Sequence, residues 1–158
     1  MSKLNKTVWL DAGHGGKDCG AVNSNLNIYE KDLTLKLALE TERQLKEQGI
    51  NVVMTRRTDI TIDYIQRSKL ENNNNCDLAI SLHLNSCAKP NTARGCEIWI
   101  HSRANNSIKK WANDTLAEIL KVSGTKNRGV KQGYPNLPNC DCWFNRLKKS
   151  TSMLIEIG

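Results

Sequence analysis

The sequence predicts an α/β sandwich built around a largely parallel sheet. Three observations carry that expectation. Short apolar runs at 7–10, 51–55, 77–83, 96–101 and 153–157 alternate with helical periodicity at 30–48, 61–72 and 105–122. The run Leu78-Ala79-Ile80-Ser81-Leu82 is apolar enough for a strand buried on both faces, as parallel strands are. Two of the runs lead into a histidine, His14 and His83. The carboxyl edge of a parallel sheet is where such folds place their sites.

Each element has its own signal. Val8-Trp9-Leu10 reads as the first strand and breaks into the glycine-rich turn Gly13-His14-Gly15-Gly16. Residues 11–29 form a long loop of Gly, Asn and Asp, and loops of that length in compact domains are usually functional or disordered. The helix at 30–48 is expected to bury Leu33, Leu37, Ala38 and Leu45, with Gly49 as its stop. Asn51-Val52-Val53-Met54-Thr55 is the second strand, and 56–60 is a connection. A helix over 61–72 turns Ile62, Ile65 and Leu70 inward and ends at the asparagine run 72–75. After the strand at 77–83 comes a loop over 85–94, then the alternating strand Cys96-Glu97-Ile98-Trp99-Ile100-His101. The helix at 105–122 carries an inner stripe of Ile108, Trp111, Ala112, Leu116, Ile119 and Leu120. Residues 123–150 are rich in Gly, Asn and Pro and yield no element, and 153–157 closes the chain as a fifth strand.

The chain has 158 residues, enough for one domain with a real core, and shows no repeat, linker or second unit. No apolar run approaches the roughly 18 residues of a membrane span, so no membrane insertion is expected. No apolar stretch of signal-peptide length precedes the first strand, so synthesis in the cytoplasm without a Sec signal is expected. The net charge of +7 favours an anionic partner, though a soluble basic protein with none is equally consistent. The longest cationic runs are pairs such as Lys109-Lys110 and Lys148-Lys149, and no basic stretch is interleaved with aromatics, which argues against nucleic acid. Six cysteines stand at 19, 76, 87, 96, 140 and 142 without a CxxC, and they are expected to be mainly reduced thiols.

The chemistry concentrates in four residues. His14 and His83 each stand at the carboxyl end of an apolar strand, and Glu30 opens a helix. Two neutral imidazoles and a carboxylate suit a catalytic zinc with an open fourth position. Glu156 places a carboxylate in the strand Leu154-Ile155-Glu156-Ile157, where an apolar residue is expected, and there it is suited to accept a proton from a metal-activated water. Each has a plainer reading. Glu30 favours its helix dipole without any metal, His83 suits a buried strand end, and Glu156 suits a sheet edge. His101 is read as a surface residue. The turn at 13–16 lacks the Gly-x-x-x-x-Gly-Lys-Ser/Thr pattern of a phosphate loop, and Cys19 reads as a small turn residue more readily than as a nucleophile.

Taken in order, these blocks resemble the zinc-dependent N-acetylmuramoyl-L-alanine amidases of the amidase-3 type, found in bacterial cell-wall hydrolases and phage lysins. The resemblance runs from Val8-Trp9-Leu10-Asp11-Ala12-Gly13-His14-Gly15-Gly16-Lys17-Asp18-Cys19-Gly20-Ala21 through Glu30, Thr55-Arg56-Arg57-Thr58-Asp59 and Arg67. It continues through Asp77–Ser86, Gly95-Cys96-Glu97, Asn127-Arg128-Gly129-Val130-Lys131 and Leu154-Ile155-Glu156-Ile157-Gly158. It implies a three-layer α/β/α domain around a twisted, mostly parallel sheet of six strands, so a sixth strand is expected near Val130-Lys131 or in the connections. It implies one zinc per chain held by His14, Glu30 and His83, with Glu156 as the catalytic carboxylate. Asn85 and Arg128 become candidates for substrate contact, although a strand-end cap and a surface arginine explain them nearly as well.

The implied reaction is hydrolysis of the amide between N-acetylmuramic acid and L-alanine in peptidoglycan. A zinc peptidase acting on the stem peptide and an inactive basic wall-binding module are the competing readings. The expected setting is a monomer acting on an anionic cell wall, either as a lysin released through a membrane lesion or as an exported enzyme. Relatives usually continue beyond the last strand, so a wall-binding module removed from the C-terminus is expected. One segment departs from the pattern: 143–152 lacks the leucine-rich stretch that such families often place there.

Overall fold

Thr7–Ala12 (β1) is the second strand of a six-stranded sheet, with Asn51–Met54 (β4) at the edge on one side and Leu78–Leu84 (β5) on the other. The sheet continues through Thr151–Ile157 (β8), Cys96–Ile100 (β6) and Asn127–Gln132 (β7). The computed structural model describes residues 5–86, 94–133, 141–146 and 151–158. All neighbouring strands are parallel except β6 and β8, which are antiparallel. A small hairpin, Val22–Asn23 (β2) with Ile28–Tyr29 (β3), interrupts the long loop after β1. Four helices complete the chain: Glu30–Glu47 (α1), Tyr64–Asn73 (α2), Asn106–Ser123 (α3) and Trp143–Arg146 (α4).

Side chains alternate across the strands and define two cores. Leu10, Ala12, Leu82, Ile98, Ile100, Met153 and Ile155 point to the layer of α1 and α3, where Ala38, Ala112 and Leu116 meet them. Trp9, Ala79 and Leu154 point to the opposite layer and meet Phe144 of α4. This is the three-layer arrangement expected. Among the described residues, no helix is long and apolar enough to cross a membrane.

The sixth strand is β7, at Asn127–Gln132. Its sequence hides it, because Val130 is its only large apolar residue. It lies at the sheet edge, where polar side chains face water and Lys131 discourages further pairing.

The inner face of α1 is predicted in part, with Ala38 buried and Leu37 packed on the core, and that of α2 is not. On α1, Leu33 is exposed, and the buried line is Glu30, Thr34, Ala38 and Glu42. On α2, Ile65 and Leu70 are exposed, while Arg67, Ser68 and Glu71 are buried. That helix starts at Tyr64, because Asp63 and Gln66 close a capping box ahead of it. Each helix sends one polar side chain to the carbonyl oxygens of the turn after β1: Thr34 to Gly13 O, and Arg67 to Ala12 O and His14 O.

Candidate metal centre

The centre is assembled at the carboxyl ends of β1, β5 and β8. Two buried arginines fix the turn that carries His14. Arg56 donates from Nε to Ala12 O at 3.1 Å and from Nη2 to Gly13 O and Lys31 O, both at 2.8 Å. Arg67 pairs with buried Asp11 and donates to Ala12 O at 2.9 Å and His14 O at 2.5 Å. Thr34 Oγ1 donates to Gly13 O at 2.8 Å. These contacts hold His14 at φ 60°, a left-handed conformation that non-glycine residues rarely keep without support. Burial works against the charge of Asp11, but Arg67 and the Ser81 hydroxyl, 2.6 Å away, hold its carboxyl below the ordinary value.

His14 Nδ1 lies 2.9 Å from Asp18 Oδ2. A carboxylate there fixes the ring proton on Nδ1 and presents the Nε2 lone pair. Nε2 is 3.0 Å from Glu30 Oε1 and 3.2 Å from His83 Nδ1, and His83 Nδ1 is 3.2 Å from Glu30 Oε1. These three ligand atoms form the one cluster of metal-binding type found among the described residues.

The dimensions fit zinc. A tetrahedral ion with ligands at about 2.0–2.1 Å places neighbouring ligand atoms roughly 3.3 Å apart. His83 Nε2 is buried with no hydrogen-bond partner, so the polar reach of that ring is directed through Nδ1 towards the triangle. The glycines are required by close approach. A Cβ at residue 13 would lie 2.5 Å from His83 Cε1, and one at residue 20 would lie 2.6 Å from His14 Cδ2.

Glu30 accepts from Leu84 N and Ala21 N, both at 2.8 Å. Burial opposes its charge, but the two imidazoles and these two amides hold its carboxyl far below the ordinary value. A carboxylate that stays ionised is what a metal ligand must be. Glu156 is different. It stands opposite His83 in the β5–β8 register and opposite Glu97 in the β8–β6 register. Burial pushes its carboxyl up, and the carboxylates of Glu30 and Glu97 push in the same direction.

The two proposed substrate residues have partners of their own. Asn85 lines the cleft of about 400 Å³ that also holds His14, Glu30, His83 and Glu156, and its Nδ2 donates to Gly95 O at 3.1 Å. Arg128 Nε donates to Glu97 Oε2 at 2.9 Å, and Glu97 Oε1 accepts from Trp99 Nε1. His101 is half-exposed, with Nδ1 accepting from Arg103 N at 2.9 Å and Nε2 3.4 Å from Asp141 Oδ2. Cys19 and Cys96 are free thiols, whereas Cys87 and Cys140 lie outside the described residues.

The family described as N-acetylmuramoyl-L-alanine amidase (Amidase_3) matches residues 8–158. The chain belongs to this family. It is 39% identical over 155 residues to the "Probable N-acetylmuramoyl-L-alanine amidase AmiB" of Haemophilus influenzae, covering 95% of this chain and 36% of that protein. It is 35% identical over 134 residues to the endolysin of Bacillus phage SPP1, covering 81% of this chain and 48% of the endolysin. The chain thus spans between a third and a half of the length of these relatives. Among solved structures, an N-acetylmuramoyl-L-alanine amidase from Clostridium difficile 630 superposes with a TM-score of 0.87 at 33% identity, covering 96% of this chain and 78% of that one.

In this amidase-family chain, reading the sequence singled out the three residues of the cluster but assigned no role to their supports. Arg56, Arg67 and Thr34 lie far along the chain from the turn they hold, whereas Asp18 is only four residues from His14. One signal was present: Arg56 and Arg67 fall in or beside the blocks on which the family resemblance rests.

Proposed function

We propose that the chain is a zinc-dependent hydrolase of peptidoglycan that cleaves the amide between N-acetylmuramic acid and L-alanine. The observation that supports this best is the ligand triangle of His14 Nε2, Glu30 Oε1 and His83 Nδ1, with edges of 3.0–3.2 Å and Glu156 in register beside it. When bound there, zinc polarises the amide carbonyl and lowers the pKa of the attacking water towards about 7.

The remaining work falls to side chains. Asp18 keeps the His14 proton on Nδ1. Leu84 N and Ala21 N hold both oxygens of Glu30 in place. Glu156 accepts the proton of the attacking water on a carboxylate oxygen and returns it to the departing alanine nitrogen, so one group serves both steps. Its raised pKa suits the task, because the protonated form must persist until the amide breaks. Asn85 lies in the same cleft, where a peptide can reach its side chain. Arg128 acts by holding Glu97 or by meeting a peptide carboxylate. The net charge of +7 favours residence on an anionic wall.

The test joins metal content to product chemistry. The purified protein should carry one zinc and free new L-alanine amino termini from isolated walls while leaving the glycan intact. Glu156→Gln keeps the shape but cannot take the proton, so it should retain zinc and lose about 10²–10⁴-fold in rate. His83→Ala should lose the metal. A Glu156→Gln protein that hydrolyses walls within a few-fold of the parent removes Glu156 from this role.

A further inference from the structure

Two clefts open from the ligand triangle, and their walls differ. The one beside Glu156 is bordered by Asn85, Ser86 and the backbone of the Gly20-Ala21 turn. The other, about 330 Å³, shares His14 and His83 but is walled by Ile62, Tyr64 and Trp143, with Asp18, Thr61 and Asp63 around it.

The aromatic wall is braced from the core. Tyr64 meets Trp143 with ring centroids 6.2 Å apart and planes tilted by 56°. Trp143 packs edge-on to Phe144 at 5.8 Å, and Phe144 stacks on Trp9 at 5.3 Å. Trp9 and Phe144 are fully buried, while Tyr64 is 55% exposed. Four of the chain's eight aromatic residues therefore stand in one line from the sheet to the cleft. A ring at the end of such a line is held in place before any ligand arrives, which lowers the ordering cost of binding. An exposed tyrosine at the first position of α2 contributes nothing to the helix that a polar residue would not.

We propose that Tyr64 and Trp143 form a stacking platform for a pyranose ring, which seats the sugar half of the substrate and leaves the Asn85–Glu156 cleft to the peptide half. The proposal rests on the amidase reading above. A pyranose offers an apolar C–H face ringed by hydroxyls. The cleft offers the matching surface, two tilted aromatic rings with oxygen acceptors on Asp18, Thr61 and Asp63 nearby. The scissile amide has a sugar on one side and a peptide on the other, and the two clefts meet at the ligands that would hold its centre.

Two measurements on the full chain test this. The first is saturation-transfer NMR with the disaccharide N-acetylglucosaminyl-N-acetylmuramic acid, which carries no peptide. Transfer to the ring protons is expected in the parent and in Tyr64→Phe, and should be lost in Tyr64→Ala. The second compares kcat/KM for a disaccharide-linked peptide with that for the same lactyl-peptide lacking sugar. Tyr64→Ala should lower this ratio about 10-fold, mainly through KM, and Tyr64→Phe should restore it. A disaccharide that binds Tyr64→Ala as tightly as the parent, or a ratio equal to the parent's, overturns the platform. The amidase reading fails separately: a parent that binds the disaccharide through Tyr64 but frees no alanine amino terminus keeps the platform and loses the reaction.

Discussion

Helices α1 and α3 are the same length, 18 residues each, and pack on the same face of the sheet, yet they are held there by different chemistry. On α3 the inward side chains are Ala112 and Leu116, flanked by Ile108, Trp111, Ile119 and Leu120. Its ends are closed in the usual way, by the Asn105 side chain at the start and Gly124 at the finish. On α1 the buried line is led by Glu30, Thr34 and Glu42. No side chain caps its start. Glu30 N donates to Ala21 O and Lys31 N to Cys19 O, so the loop that surrounds the metal ligands is also the cap. Apolar burial positions α3, whereas α1 adds to its apolar contacts through Leu35, Leu37 and Ala38 the polar ties of Glu30 and Thr34 to the candidate centre.

The largest effect that separates the two helices is expected on α3. Leu116→Ala should cost about 2–5 kcal/mol of stability in denaturant titration, with the activity per folded molecule kept. A loss of specific activity matching the loss of stability would show that α3 also supports the centre. Thr34→Val on α1 should reverse the pattern. It removes the hydroxyl between Gly13 O and Arg56 Nη2 and should cost about 1–3 kcal/mol, with a clear loss of zinc retention on dialysis. Unchanged zinc affinity in that variant would break the distinction drawn here.

A smaller effect depends on pH. The Arg57 guanidinium beside Glu42, with Lys46, holds the Glu42 carboxyl below its ordinary 4.5. Because the folded value is the lower one, this contribution is fully present above pH 4.5 and is lost as pH falls through the folded value. Glu42→Gln should therefore cost about 1 kcal/mol or less at pH 7 and progressively less as pH falls below 4.5. The Leu116→Ala penalty should carry no such dependence, and equal pH profiles for the two variants would contradict the contrast. The smallest effect belongs to Val122, 91% exposed near the end of α3, where Val122→Lys should change stability by less than about 0.5 kcal/mol.

The same contrast explains what the sequence disclosed. Strands β1, β4, β5, β6 and β8 and helix α3 were legible because burial writes itself as apolar periodicity. The cluster of His14, Glu30 and His83 was legible because each is a chemically unusual residue at the end of an element. The inner face of α2 was misread, and that of α1 was read only in part: Leu37 and Ala38 pack on the core, but the buried Glu30, Thr34 and Glu42 went unseen. Leucine and isoleucine weigh more in a periodicity argument than Thr34, Arg56 or Arg67, whose value lies in carbonyls brought near only by folding. Strand β7 was hidden because an edge strand needs few apolar side chains. Asp18 stood in the first block of the resemblance, but its role was not read, because a carboxylate in a glycine-rich loop looks the same with or without an imidazole to hold.

Because β6 runs opposite to β5 and β8, the chain leaving β5 and the chain reaching β6 meet at one rim of the sheet. That meeting is laced shut. Asn85 Nδ2 donates to Gly95 O, Asn85 N to Ile157 O, and Gly95 N to Gly158 O. Whatever length of chain joins residues 85 and 95 must begin and end at the mouth of the Glu156 cleft. Doubling such a connection costs only about 0.6 kcal/mol in closure entropy. The lacing makes this rim a grafting point, where new sequence can reshape what reaches the centre while the sheet beneath keeps its register.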